Sequence, residues 1–182
     1  MEKIISLFKR DYEGNRQVYD EVVEGAEWVI DGEGVATEKI DGTACLVRDG
    51  KIYRRYDAKH GKTPPPDFEP AQDPDPVTGH WPGWIPITER PEDKWHRDAF
   101  ENCPSLPDGS YELIGPKVQG NKYQLSQHCL RRHGDAILHD VPRDYKGIKS
   151  YFEDLTRIEG IVWHHPDGRM VKIKRRDFGL HW

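Results

Sequence analysis

Nine prolines fall between Lys62 and Pro91, in the run KTPPPDFEPAQDPDPVTGHWPGWIPITERP. Each fixes its own φ and removes a backbone donor, so the run is expected to form neither regular helix nor central strand and to lie as a long loop. Its Trp81, Trp84 and Ile85 need cover from water, which favours a loop folded over the body of the protein, near a site. The body must then be built by the flanking sequence. At 182 residues the chain is long enough for one sizeable core and short for two, giving a single domain over residues 1–182.

The flanks carry the patterns of that body. GVATEKI from Gly34, TACLVRDG and KIYRRYD read as three successive strands, with Asp49-Gly50 supplying a tight hairpin turn. DKWHRDAFENC suits a short helix, SYELIG a strand, and DAILHDV another strand closed by Pro142. Between Tyr145 and Leu155 the residues Ile148, Tyr151, Phe152 and Leu155 recur at three- and four-residue spacing, predicting a helix. RIEGIVWHH and RMVKIKRR flank a Pro166-Asp167-Gly168 turn as the last hairpin. Strands dominate with helices interspersed, an α+β class.

Six Trp and 35% hydrophobic residues are enough for a packed globule. The start, MEKIISLFKRDYEG, has a five-residue apolar stretch interrupted by Ser6, so no targeting segment is expected, and no run is long enough to span a bilayer. Cys45, Cys103 and Cys129 are odd in number and widely spaced, against a disulfide framework or zinc ribbon and in favour of a reducing, cytoplasmic setting. A formal charge of −5 argues against wholesale phosphate binding. Its distribution is uneven, with acids crowding the N-terminal third and residues 67–98 while Lys172, Lys174, Arg175 and Arg176 make a basic end.

Four segments carry chemistry. Lys39 stands in Glu38-Lys39-Ile40-Asp41-Gly42-Thr43, before a glycine that allows close approach of a phosphate. Glu112 lies in the strand Tyr111-Glu112-Leu113-Ile114-Gly115, and Glu159 stands at the mouth of the apolar strand Gly160-Ile161-Val162. Lys172 and Lys174 fall on one face of the partner strand, because side chains alternate with period two. Lys-x-Asp-Gly alone is common in charged turns. The ordered set supplies a nucleophile, two acids and a cationic pair.

These segments resemble motifs I, III, IV and V of the covalent nucleotidyltransferase superfamily, which contains ATP-dependent ligases and mRNA capping enzymes. They extend from residue 38 to residue 174, in the family's order. GPKVQGN after motif III and the Trp- and Pro-rich middle add a likeness to small RNA ligases. The resemblance implies a nucleotidyltransferase (ATP-grasp-like ligase adenylation) domain with two packed antiparallel β-sheets and flanking helices. It implies that Lys39 is adenylylated by ATP with Mg²⁺ or Mn²⁺, and that AMP passes to an RNA 5′-phosphate which a 3′-hydroxyl then seals. An end-healing partner enzyme is compatible with such a role in RNA repair.

Residue by residue, the resemblance makes Lys39 the nucleophile and Glu38, with its neighbouring backbone, an adenine contact. Arg54 or Arg55 occupies the place of motif Ia, reaching ribose or phosphate. Glu112 would hold a ribose hydroxyl, Glu159 a divalent metal through its waters, and Lys172 and Lys174 the α-phosphate. A lysine attacks phosphorus as the neutral amine, less than about one part in a thousand of an ordinary lysine at pH 7. Nearby cations and desolvation are therefore expected to activate Lys39, and the same cations to stabilise charge on the phosphate.

The sequence ends eight residues after Lys174, so the OB domain that follows motif V in DNA ligases and capping enzymes is not expected. Arg16, Lys117, Arg175 and Arg176 are left as candidates for orienting pyrophosphate or binding nucleic acid. Thr43-Ala44 stands where DNA ligases place an arginine, which also favours an RNA ligase. The alternatives are a capping-type guanylyltransferase, labelling Lys39 with GMP, and a non-catalytic nucleotide- or RNA-binding module. His128, Cys129 and His133 are an incomplete metal set, His164 and His165 read as solvated turn residues, and Trp81, Trp84 and Trp95 read as loop anchors in preference to base-stacking platforms.

Overall fold

A computed structural model describes residues 4–59 and 63–182. Met1 to Lys3 and Lys62, where the proline-rich run begins, lie outside the described residues. Along the chain come β1 (Ile5–Ser6), β2 (Phe8–Arg10), β3 (Val18–Val22), α1 (Glu27–Ile30), β4 (Val35–Lys39), β5 (Thr43–Arg48), β6 (Lys51–Lys59), β7 (Glu69–Pro70) and β8 (His80–Pro86). There follow α2 (Lys94–Glu101), β9 (Gly109–Ile114), β10 (Cys129–Arg132), α3 (Tyr145–Asp154), β11 (Gly160–His164) and β12 (Met170–Lys174). The class is α+β. Among the described residues no helix is long and apolar enough to cross a membrane.

The chain divides into two compact units. The first, described within residues 41–133, is built on a six-stranded antiparallel sheet of order β10-β9-β5-β6-β8-β7. The β5–β6 hairpin turns at Asp49 and Gly50, both with positive φ (52° and 68°), the conformation a two-residue turn requires. Cys45, Val47, Ile52, Tyr111, Leu113 and Leu130 lie on one face of the sheet and form a core with Ala99 of α2.

Two findings here differ from the sequence reading. The proline-rich run contributes a seven-residue strand, β8, which pairs with β6 along its whole length. Pro82 is tolerated because its polar edge faces away from β6: its carbonyl accepts from Ala71 N–H at 3.0 Å, and Pro86, four residues on, has the same parity. The second is β10, which pairs with β9 from Cys129 to Arg132 where no strand was expected.

The other unit, described within residues 4–40 and 134–182, holds a four-stranded sheet of order β1-β12-β11-β4 and the β2–β3 ribbon. Two antiparallel sheets were expected. Among the described residues there are three sheets, and β1 runs parallel to β12, so this short strand covers an edge that β12 would otherwise leave open. DAILHDV forms no strand. Ile137 N–H turns back to Asp135 O, leaving a single bridge between Ile137 and Thr37 of β4. The helix read from periodicity is present as α3, capped by Asp144, whose Oδ1 accepts from Gly147 N–H at 2.9 Å. Its Ile148 and Phe152 are fully buried with Leu7, Ile161, Trp163 and Ile173.

Candidate active site

Strand β11 is the axis of the lysine cluster. Its first residue, Gly160, is the register partner of Lys39 on β4 and of Lys174 on β12. A Cβ at Gly160 would come within 2.3 Å of Ile173 O, so only glycine allows the close approach of the strands that bear these lysines. Glu159 immediately precedes it. One carboxylate oxygen meets Lys39 Nζ at 2.5 Å and the other Lys174 Nζ at 3.2 Å. The burial of β12 alternates, with Val171 and Ile173 in the core and Lys172 and Lys174 facing the other way. Lys172 stands two residues from Lys174 on that face, level with Val162 and Thr37.

The cluster is largely buried, with side-chain exposures of 22% for Lys39, 15% for Lys174 and 10% for Glu159. Burial, followed by the positive charges of Lys174 and Lys39, brings the Lys172 pKa down to about 8, against the opposing pull of Asp177 and Glu159. A carboxylate held by two ammonium groups beside a third, easily deprotonated amine can bind polyanionic phosphate and move a proton near neutral pH.

Glu38 is placed differently from Lys39. It pairs with Ile161 on the opposite face of β4, and its N–H donates to Ala136 O at 2.8 Å. Thr37 shares the Lys39 face instead. Its hydroxyl donates to Val162 O at 3.2 Å and meets His164 Nε2 at 3.1 Å. The period-two rule applied backwards from Lys39 would have singled out Thr37. His164 is therefore part of this face, whereas His165 is tied to Glu33 and Asp167, and the Glu33 carboxylate raises its pKa.

In the other unit, register separates the two arginines. Arg54 is the partner of the core residue Cys45, and on that face its Nε donates to Asp93 Oδ1 at 2.9 Å. Burial would raise the Asp93 pKa, but hydrogen bonds from Thr88 and the Arg54 charge outweigh it and hold the carboxyl below its usual range. Arg55 lies on the opposite face, over the Trp84 ring at 5.1 Å. That face also carries Glu112, the partner of Ala44. Glu112 is buried and bonded to His133 Nε2 at 2.6 Å. Nothing in the sequence linked residues 21 apart, because the contact depends on β10 folding back along β9.

His128, Cys129 and His133 do not form a metal set. His128 stacks on Trp95, with ring centroids 4.7 Å apart, and His133 belongs to Glu112. Among the described residues no group of three or more His, Cys, Asp and Glu is placed to hold a metal ion. Arg175, a candidate nucleic-acid contact, is buried and donates to the carbonyls of Phe152, Leu155 and His181. Arg176 is exposed.

Residues 102–182 match the family model for RNA ligase 1. RNA ligase 1 of Mus musculus is 28% identical over an alignment covering 81% of this chain and 68% of that protein. RNA ligase 1 of Danio rerio is 27% identical, with 96% and 76% covered. The matched model takes in Glu112, Glu159, Lys172 and Lys174, and the alignments with whole proteins are long enough to include Lys39. Segment order and these matches agree, and the chain is similar in sequence to RNA ligase 1 over most of its length.

Proposed function

We propose that the chain is an ATP-dependent RNA ligase acting through a lysyl-AMP intermediate on Lys39, with residues 1–182 working as one nucleotidyltransferase (adenylation) domain. The observation that carries this reading is Lys39 and Lys174 sharing the Glu159 carboxylate in a chain related to RNA ligase 1. A structural ion pair needs one lysine. Three on one face of a sheet, mostly out of water, make a binding site for phosphate.

Lys39 first gives up its ammonium proton to solvent, leaving Glu159, whose Oε2 lies 2.5 Å from Lys39 Nζ, to hold the amine in place. The neutral amine attacks the α-phosphorus of ATP. A P–N bond forms as the P–O bond to pyrophosphate breaks, with Lys172 and Lys174 balancing charge on the phosphate oxygens. An oxygen of the RNA 5′-phosphate then attacks the AMP phosphorus, a P–O–P link forming as the P–N bond to Lys39 breaks and the departing amine takes up a proton. Finally the RNA 3′-hydroxyl attacks that 5′-phosphorus, a phosphodiester forms, and AMP departs.

Arg55 and Glu112 enter through the order of motifs, as the phosphate or ribose contact and the ribose-hydroxyl contact. Between the two arginines Arg55 is preferred, because it shares a sheet face with Glu112 while Arg54 is tied to Asp93. Glu38, with its neighbouring backbone, is the adenine-side candidate that the order of motifs implies, while Thr37 on the Lys39 face is buried and bonded to Val162 O and His164 Nε2. Both oxygens of Glu159 face lysines, so Glu159 would hold a divalent ion through the ion's waters, and the residues present offer no all-protein cage. An ion held there, Mg²⁺ or Mn²⁺, would supply positive charge to the phosphates.

Intact mass after incubation with ATP and Mg²⁺ or Mn²⁺, followed by peptide mapping, tests the reading. The expected result is one AMP on Lys39, lost in Lys39→Ala. An adduct that persists in Lys39→Ala, or GMP labelling in preference to AMP, would reject it.

A further inference from the structure

The β2–β3 ribbon closes in a loop, residues 11–17, that borders an open cavity of about 500 Å³ lined by Arg10, Asp11, Tyr12, Glu13, Gln17 and Tyr19 among others. Tyr12 is 77% exposed and Tyr19 41%, so both rings border the cavity with aromatic surface open to water. The loop is nonetheless firmly built. Asp11 N–H donates to Gln17 O at 2.9 Å, Gly14 N–H to Asp11 Oδ1 at 2.8 Å, and Gln17 N–H to Asn15 Oδ1 at 2.9 Å. Arg16 takes a left-handed conformation, φ 60°, and its carbonyl accepts from Arg10 Nη1 at 2.6 Å.

The same Arg10 connects the cavity to the lysine cluster. Its Nη2 is bonded to Asp177 Oδ1, and Asp177 Oδ2 accepts from the backbone N–H of Lys174 at 2.9 Å. One buried carboxylate therefore joins the cavity wall to the strand that carries Lys172 and Lys174.

We infer that this cavity is a subsite for a nucleobase of the RNA substrate, stacked on Tyr12, an inference that rests on the RNA-ligase reading. The lining selects a base over a phosphate. Asp11 and Glu13 repel an anion, and Arg10 is already engaged by Asp177 and Arg16 O, whereas an exposed ring offers a stacking face to any base. Amide groups from Asn15 and Gln17 bring donors and acceptors suited to a base edge. Because the loop is held by its own hydrogen bonds, little ordering opposes binding. The Asp177 link sets the subsite on the element that binds the reacting phosphate.

The test compares a 5′-phosphorylated RNA oligomer with an abasic oligomer of the same length, by fluorescence anisotropy at fixed salt. The wild-type chain is expected to bind the base-bearing strand more tightly. Tyr12→Ala is expected to weaken that binding about five- to one-hundred-fold while leaving the abasic strand unaffected, and Tyr12→Phe to keep the preference. Truncation at so exposed a position leaves the core intact, which an unchanged thermal midpoint checks. Lys39 adenylylation by ATP is expected at the wild-type rate in Tyr12→Ala, and its absence in every variant would count against the ligase reading, not the base subsite. Equal weakening for both strands, or none for either, would overturn the inference.

Discussion

Burial disfavours the charged form of Lys172, and the neighbouring ammonium groups of Lys174 and Lys39 add repulsion, which together bring its pKa to about 8. Below pH 8 Lys172 is a cation available to the α-phosphate. Above it the charge is lost. The value of kcat/KM for ATP in the adenylylation step reports the free enzyme, and is expected to fall as pH rises through about 8. Lys172→Arg keeps its charge at all these pH values, so the descending limb should move to higher pH in that variant. A limb that stays in place would show that Lys172 is not the cation concerned. The pairing of Lys172 with Lys174 was legible from spacing alone, because alternation along a strand is strict. The choice between Arg54 and Arg55 was not, since it depends on which face of β6 meets the core, and neither was the Glu112–His133 bond.

Elements that follow one clean periodicity were read correctly: β4 to β6, α3, and the β11–β12 hairpin. The failures share a cause, which is that partners outside the segment decide its structure. DAILHDV has strand composition, yet the Ile137 N–H bonds to Asp135 O and the run makes one bridge. HWPGWIP has two prolines, yet both present their missing donors to the side away from β6 and the strand forms. Helix α2 was expected, but not the buried, neutral histidine it carries. His96 is 7% exposed, and neither ring nitrogen has a hydrogen-bond partner. Burial lowers its pKa from 6.5 to about 4, the Arg54 charge adding to this and Asp93 opposing it. The folded pKa lies below the unfolded one, so the unfolded chain takes up the proton first. Stability is then fully present above pH 6.5 and lost as pH falls towards 4, by up to about 3 kcal/mol. Thermal unfolding across that window should show the loss, and His96→Phe should flatten it. Asp93, held below its usual range, contributes its own loss at lower pH still, which keeps the two effects apart. A midpoint that falls equally in His96→Phe would assign the acid sensitivity elsewhere.

At the scale of the whole chain, a formal charge of −5 sets how strongly an RNA backbone can be attracted. The basic C-terminal end is smaller than its sequence suggests. Arg175 is consumed by three carbonyls, and Lys174 is engaged by Glu159, which leaves Arg176 as the exposed member of the run. Few phosphates beyond the reacting one can then be neutralised. With roughly two, the logarithm of the association constant for single-stranded RNA should fall with the logarithm of salt at a slope near −1.4. Arg176→Ala is expected to reduce that slope by about 0.7, the contribution of one phosphate. Stacking on Tyr12 releases no counterions, so Tyr12→Ala should lower affinity at every salt concentration without changing the slope. The two variants thus separate the ionic from the aromatic part of RNA recognition in a single titration series. A wild-type slope steeper than about −3 would require cations that this arrangement does not supply at its C-terminal strand. An unchanged slope in Arg176→Ala would move the phosphate contact to another surface, and the arginines of β6 and β10 would be the next to replace.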